Sequence, residues 1–154
     1  MKLTYNDMDK PAFIYASIFV LANRLQTLGD KIDPGISTKQ WLVLAMISKF
    51  KKTIPNIGDI ADLMGSSRQN IKKIAVILKQ RGYVELRRDE ADQRNIRLIL
   101  TSKCYEYFKS REQQEDRYLK QLFLDVEENM LFELCKGLTK LNKNVNRIEI
   151  GYEN

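Results

Sequence analysis

The sequence predicts a mostly helical fold carrying one short β-hairpin, and three observations predict it. Apolar residues recur at spacings of three and four along most of the 154 residues, the period of helices with one buried face. Only 7 Gly and 3 Pro interrupt them. One stretch, "YVELRRDEADQRNIRLILT" from Tyr83 to Thr101, alternates apolar and polar residues at both ends around a charged middle, as two strands joined by a turn would. A hydrophobic share of 44% is enough for a core, and the length suggests one domain over residues 1–154.

The first helix is expected over residues 10–30, rich in Phe13, Ile14, Ile18, Phe19, Leu21, Leu25 and Leu28. Gly29 and the turn-prone Asp33-Pro34-Gly35 end it. Its apolar run from Ala12 to Ala22 is too short to span a bilayer. Asp9 before the run, and Asn23 and Arg24 after it, do not make a cleaved leader. The expectation is a buried helix of a cytoplasmic protein. Ser37 and Gln40 form a capping box that opens the second helix, with Trp41, Leu42, Leu44, Ala45 and Ile47 following. Asn56 caps a third, short helix, with Asp59 near its positive end and Gly65 breaking it. Ser67 caps a fourth helix that stops at Gly82. Two helices separated by a few residues that include Gly have the form of a helix-turn-helix.

In the hairpin, Val84, Leu86, Ile96, Leu98 and Leu100 alternate with polar residues, so each strand presents one face to the core. Thr101 opens a fifth helix to about Leu124, and Asp125 with Glu128 is expected to cap a sixth. In that last helix Leu131, Leu134, Leu138, Leu141, Val145 and Ile148 follow a three-four-three-four-three spacing, an a/d seam with Gly137 as its weak point. The seam is expected to face a second subunit.

The chemistry-bearing residues exclude much. The chain has no His, which removes the commonest general base and zinc ligand. Its 2 Cys, Cys104 and Cys135, are too far apart for a CxxC pair. There is no glycine-rich phosphate loop and no clear nucleophile–base constellation. No enzyme activity, metal or cofactor is expected. With 26 Lys and Arg against 20 Asp and Glu, the net charge of +6 favours a polyanionic partner.

That charge is concentrated on the fourth helix. Ile71, Ile74, Ala75 and Leu78 fall on one side at about 100° per residue. Gln69, Lys72, Lys73, Val76 and Gln80 fall on the other, with Arg68 and Lys79 at the margin. Arg68, Lys72, Lys73, Lys79 and Arg81 occur from Ser66 to Arg81 without one acidic residue. These types match a DNA duplex: Gln69 and Asn70 suit adenine edges, Arg68 guanine, Lys72 and Lys73 phosphate or guanine, and Val76 a thymine methyl. The amides of the helix start, beside Ser67, suit a phosphate.

The stretch "IADLMGSSRQNIKKIAVILKQRGYVELRRDEADQRNIRLILT" resembles the winged helix-turn-helix of MarR-type transcriptional regulators. The resemblance is carried by Ala61, Leu63, Gly65, Ser67, Leu78, the Arg81-Gly82-Tyr83-Val84 exit, and Asp-x-Arg at Asp92 and Arg94 before Leu100-Thr101. It implies a winged helix-turn-helix lobe over about residues 37–101, and a homodimer built from helices over about 10–30 and 102–150. The partner would be a pseudo-palindromic double-stranded DNA operator. The fourth helix would enter the major groove, and Arg94 the minor groove with Asp92 bracing the tip. Where many members are basic between these two, this chain has Gln93, and Arg87 and Arg88 are candidates to compensate. The implied function is a repressor released by a small-molecule ligand. A small aromatic or phenolic effector would meet Tyr15, Phe19, Trp41, Tyr105 and Phe108. The competing reading is a winged-helix module that binds protein without specific DNA binding.

Overall fold

The computed structural model of the chain describes residues 9–90 and 92–153, the side chain of Glu153 excepted. Met1 to Met8, Ala91 and Asn154 of the expected single domain lie outside them. The elements run α1 (Lys10–Ile32), α2 (Thr38–Lys49), α3 (Ile57–Met64), α4 (Arg68–Gln80), β1 (Val84–Arg88), β2 (Ile96–Leu100), α5 (Ser102–Leu122) and α6 (Glu128–Glu153). The fold is therefore mostly helical with one antiparallel hairpin, as expected. The described residues up to Lys109 form one compact unit and those from Ser110 a second.

The first unit holds the core. Val43, Leu44 and Ile47 of α2 meet Ile60 and Ala61 of α3, and Ile71, Ala75 and Leu78 of α4. Val84 of β1, Leu98 of β2 and Cys104 of α5 close the same cluster. The period-two expectation for the hairpin holds: Val84 and Leu98 are buried, while Leu86, Ile96 and Leu100 pack against the cluster. The strands pair from Val84 with Leu100 to Arg88 with Ile96. A third backbone segment joins them, because the Leu98 amide donates to Pro55 O at 2.9 Å and Asn56 bridges Arg97.

Side-chain caps set the helix starts. Ser37 Oγ accepts from the Gln40 amide, and Gln40 Oε1 from the Ser37 amide, at 3.3 and 3.2 Å. Asn56 and Asp59 make the same reciprocal pair at 3.0 and 2.7 Å. Thr101 Oγ1 accepts from the Cys104 amide at the start of α5, at 3.3 Å. The expected box at α6 does not form. Asp125 sits in the left-handed region at φ 58°, and α6 begins three residues later, at Glu128. Asp tolerates that conformation better than most residues. It serves as the end of the turn after α5, not as the cap of the next helix.

Helix α1 corrects a second expectation. Among the described residues it buries none of its own, and Tyr15 and Phe19 are 68% and 56% exposed. It is fastened at its C-terminal end. Thr38 donates from its amide to Asp30 Oδ1 at 2.6 Å and from Oγ1 to Gln26 O at 3.1 Å. The Thr38 amide holds the Asp30 carboxyl below the usual carboxylate range. Beyond α1, Tyr107 of α5 donates to Asp33 Oδ2 at 2.7 Å.

In the second unit, Arg111 pairs with Glu115 at 3.2 Å and Lys120 with Asp116 at 3.5 Å, one turn apart in each case. The charged middle of α5 thus satisfies much of its charge along its own length. On α6, Leu131 is half-buried, and Leu134, Leu138, Leu141, Val145 and Ile148 are exposed. Among the described residues, no helix is long and apolar enough to cross a membrane.

Candidate nucleic-acid interface

The site is built on α3 and α4. The Gly65 φ of 57° turns the chain left-handed after α3, a conformation glycine adopts at little cost. The Ser66 amide then donates back to Ala61 O at 2.9 Å. Two residues on, Ser67 Oγ accepts from the Asn70 amide at 3.2 Å and starts α4. Ile71, Ile74, Ala75 and Leu78 of α4 are buried. That stripe fixes the helix's rotation, so Arg68, Gln69, Lys72, Lys73, Val76 and Lys79 all lie exposed.

At the start of α4, Asn70 and Arg68 lie in local settings that the sequence did not reveal. Asn70 Nδ2 donates to Ser66 Oγ at 3.0 Å, so the amide proposed for an adenine edge is engaged within the turn. The Arg68 guanidinium lies back beside Gly58, where a Cβ would sit 3.4 Å from its Nε. The C-terminal end of α4 is anchored by Arg81, whose Nη1 donates to Gly35 O. Arg81 O in turn accepts from Lys103 Nζ at 2.7 Å. Arg81 is thus a structural cation of this helix rather than a free one.

The hairpin carries the other half. Arg87 pairs loosely with Glu85 at 3.6 Å, and Arg88 is exposed. At the tip, Asp92 Oδ1 accepts from the Arg94 amide at 3.0 Å and from its Nε at 3.3 Å. Asp92 Oδ2 accepts from Asn95 Nδ2 at 3.3 Å. The Arg94 side chain is 94% exposed. Asp92 therefore has the geometry of a brace and Arg94 that of a projecting cation. Sequence reasoning missed Asp89 and Arg97: Arg97 Nε donates to Asp89 Oδ2 at 2.5 Å, and Arg97 Nη1 to Ile54 O at 2.6 Å. The only signal for this pair was the placing of opposite charges at the two ends of the turn.

The five aromatic candidates fall into separate settings. Tyr15 and Phe19 meet edge-on with ring centroids 5.1 Å apart. Trp41 and Phe108 pack against the core, and Tyr105 is exposed. Among the described residues, no group of three or more His, Cys, Asp or Glu is placed to hold a metal ion.

A short capped helix, a left-handed glycine turn, a second helix with one buried stripe and one cationic face, and a hairpin projecting an arginine define a winged helix-turn-helix. The chain carries a MarR-type segment: residues 35–95 match the model described as MarR family. It is 26% identical over 144 residues to the transcriptional activatory protein BadR of Rhodopseudomonas palustris, covering 90% of this chain and 81% of BadR. It is also similar in fold to a MarR/EmrR family transcriptional regulator from Acinetobacter sp. ADP1. That likeness has a TM-score of 0.77 at 22% identity, over 91% of this chain and 99% of that one. The MepR of S. aureus, solved as a MepR–DNA complex, matches with a TM-score of 0.74 at 16% identity, over 85% of this chain and 97% of its own.

Proposed function

We propose that the protein is a sequence-specific DNA-binding transcriptional regulator that acts as a homodimer in the cytoplasm. The observation that carries the proposal is the exposed face of α4. Lys72, Lys73 and Lys79 stand there with no acidic residue between them, held outward by the buried stripe of the same helix, and Arg68 lies exposed at its start. Duplex phosphates are the partner such a face fits. Helix α4 enters the major groove, with Gln69 reading base edges and Lys72 and Lys73 on phosphate or guanine. Ser67 and the amides beside it meet a phosphate. Arg94 reaches the narrow minor groove, whose negative potential attracts arginine, and Arg87 and Arg88 add cations where Gln93 has none.

The apolar residues left exposed along α1 and α6 support the dimer, since monomeric proteins rarely leave large contiguous apolar surface in water. We assign Leu131, Leu134, Leu138, Leu141, Val145 and Ile148 to that interface. A dimer seated over a promoter represses by occlusion, and a small aromatic or phenolic effector at Tyr15, Phe19, Trp41, Tyr105 or Phe108 releases it. The activatory role in BadR's name fits the same lobe with the operator placed elsewhere.

The test selects duplexes from a random-sequence pool with the purified protein and measures affinity by fluorescence anisotropy across a salt series. Lys72→Ala and Arg94→Ala each weaken binding without loss of fold. Lys72→Ala also flattens the slope of log K against log salt by about 0.9, the value for one phosphate contact. Wild-type affinity and slope in both variants would refute this DNA surface. Early elution of the wild-type chain from heparin would favour a protein-binding module instead.

A further inference from the structure

We propose that Arg97 is the positioning residue of the wing, fixing the aim of Arg94 from the body of the lobe; its consequence for affinity rests on the DNA reading above. A two-stranded hairpin is by itself marginal in water, and its tip lies beyond the last ladder pair, Arg88 with Ile96. The Arg94 side chain is 94% exposed, so its direction comes from the turn beneath it.

That turn is held by a continuous chain of hydrogen bonds. Asp92 Oδ1 holds the amide and Nε of Arg94. The Asp92 amide donates to Asp89 Oδ1 at 3.1 Å. The other oxygen of Asp89 accepts from Arg97 Nε at 2.5 Å. Arg97 Nη1 then donates to Ile54 O at 2.6 Å, in the segment before α3 and outside the hairpin. The path runs from Ile54 through Arg97, Asp89 and Asp92 to Arg94.

The links differ in firmness. The Asp92–Arg94 pair is 42% and 94% exposed, and exposed pairs hold little. The Asp89–Arg97 pair is 14% and 33% exposed, so water competes less for it. Arg97 also stands opposite Arg87 in the ladder, where like charges repel. The ladder gives no reason for an arginine there; Asp89 and Ile54 O do. A planar guanidinium offers two fixed N–H groups to two acceptors at once, which an ammonium does not.

The experiment measures anisotropy on a duplex recovered from the random-sequence pool, for wild type, Arg97→Gln, Arg94→Ala and the double variant. It adds 15N relaxation of the Asp92, Arg94 and Asn95 amides in the free protein. Arg97→Gln is expected to weaken binding about tenfold alone and less than about twofold in the Arg94→Ala background, the non-additivity of residues in one network. Arg97→Lys falls between wild type and Arg97→Gln, and the tip amides gain fast motion in Arg97→Gln. An Arg97→Gln loss that persists in full without Arg94, or tip amides as ordered as in wild type, would overturn the assignment. Should wild type bind no duplex, the DNA reading falls, and the relaxation arm decides the path by itself. Should Arg97→Gln not fold, Asp89→Asn cuts the path at its next link and is read in the same way.

Discussion

Gly29 is the position at which one methyl group should change sign with its neighbour. It lies in the last turn of α1, and a Cβ built on it falls well inside van der Waals contact of Thr38 Oγ1. That hydroxyl cannot move freely, because it donates to Gln26 O at 3.1 Å. Gly29→Ala must therefore displace it. The lost hydrogen bond costs about 1 kcal/mol, and the overpacking costs about 1–3 kcal/mol. The better helix propensity of alanine offsets up to about 1 kcal/mol. The net expectation is destabilisation by about 1–3 kcal/mol, from the same terms. Thr38→Ala removes the clashing oxygen, and the next atom, Thr38 Cβ, stands at 3.4 Å, an ordinary contact. In that background only the propensity remains, so Gly29→Ala should stabilise by about 0.5–1 kcal/mol. Urea unfolding of the four proteins at equal m-value measures the cycle. The same sign in both backgrounds would refute the account of how α1 is fastened to α2.

Burial and exposure lead to three further predictions. Cys104 is fully buried, and burial pushes its thiol from 9.0 up to about 11, while Cys135 is exposed. Ellman's reagent at pH 8 should therefore titrate one thiol per native chain and two in denaturant. The Cys104 pKa is higher folded than unfolded, so its contribution to stability is complete below pH 9 and is lost as pH rises from 9 towards 11; a urea midpoint unchanged over that window would contradict this. Leu138→Glu on α6 should turn the proposed dimer into monomer at micromolar concentration, because each buried leucine contributes about 1.5–3 kcal/mol and a symmetric interface uses it twice. Sedimentation that still shows a dimer would move the interface off this seam.

What was legible in the sequence was what neighbours along the chain decide. Ser37 with Gln40, and Asn56 with Asp59, form their boxes three residues apart, so the sequence spacing already contains the geometry. The alternation of Val84, Leu86, Ile96, Leu98 and Leu100 fixed both strands and their inward face, and the stripe from Ile71 to Leu78 fixed the rotation of α4. The Asp125–Glu128 spacing shows the limit of that reasoning. It has the same form as the other two boxes, yet Asp125 lies inside the turn that the Val126 amide closes on Phe123 O at 3.2 Å, and the helix starts later. A capping pattern states what can bond, while the competing turn decides whether it does. Helix α1 was misread for a different reason. Apolar spacing marks a face that favours cover but does not say what covers it, and among the described residues α1 buries none of its own.

The wing shows where local reading stops altogether. Asp92 and Arg94 are two residues apart and announce themselves. Arg97 acts on Ile54 O from 43 positions away and on Asp89 across the turn, so no window along the sequence contains its role. Two acids at the tip then cease to conflict with a DNA-facing surface. Asp89 and Asp92 spend their charge inward, on Arg97 and on the amides of the turn. What the tip presents outward is the guanidinium of Arg94, with Glu90 exposed on the same turn. A hairpin that must hold one cation at a fixed angle in water needs such acids, because a turn built from arginines alone would repel itself and have no defined direction.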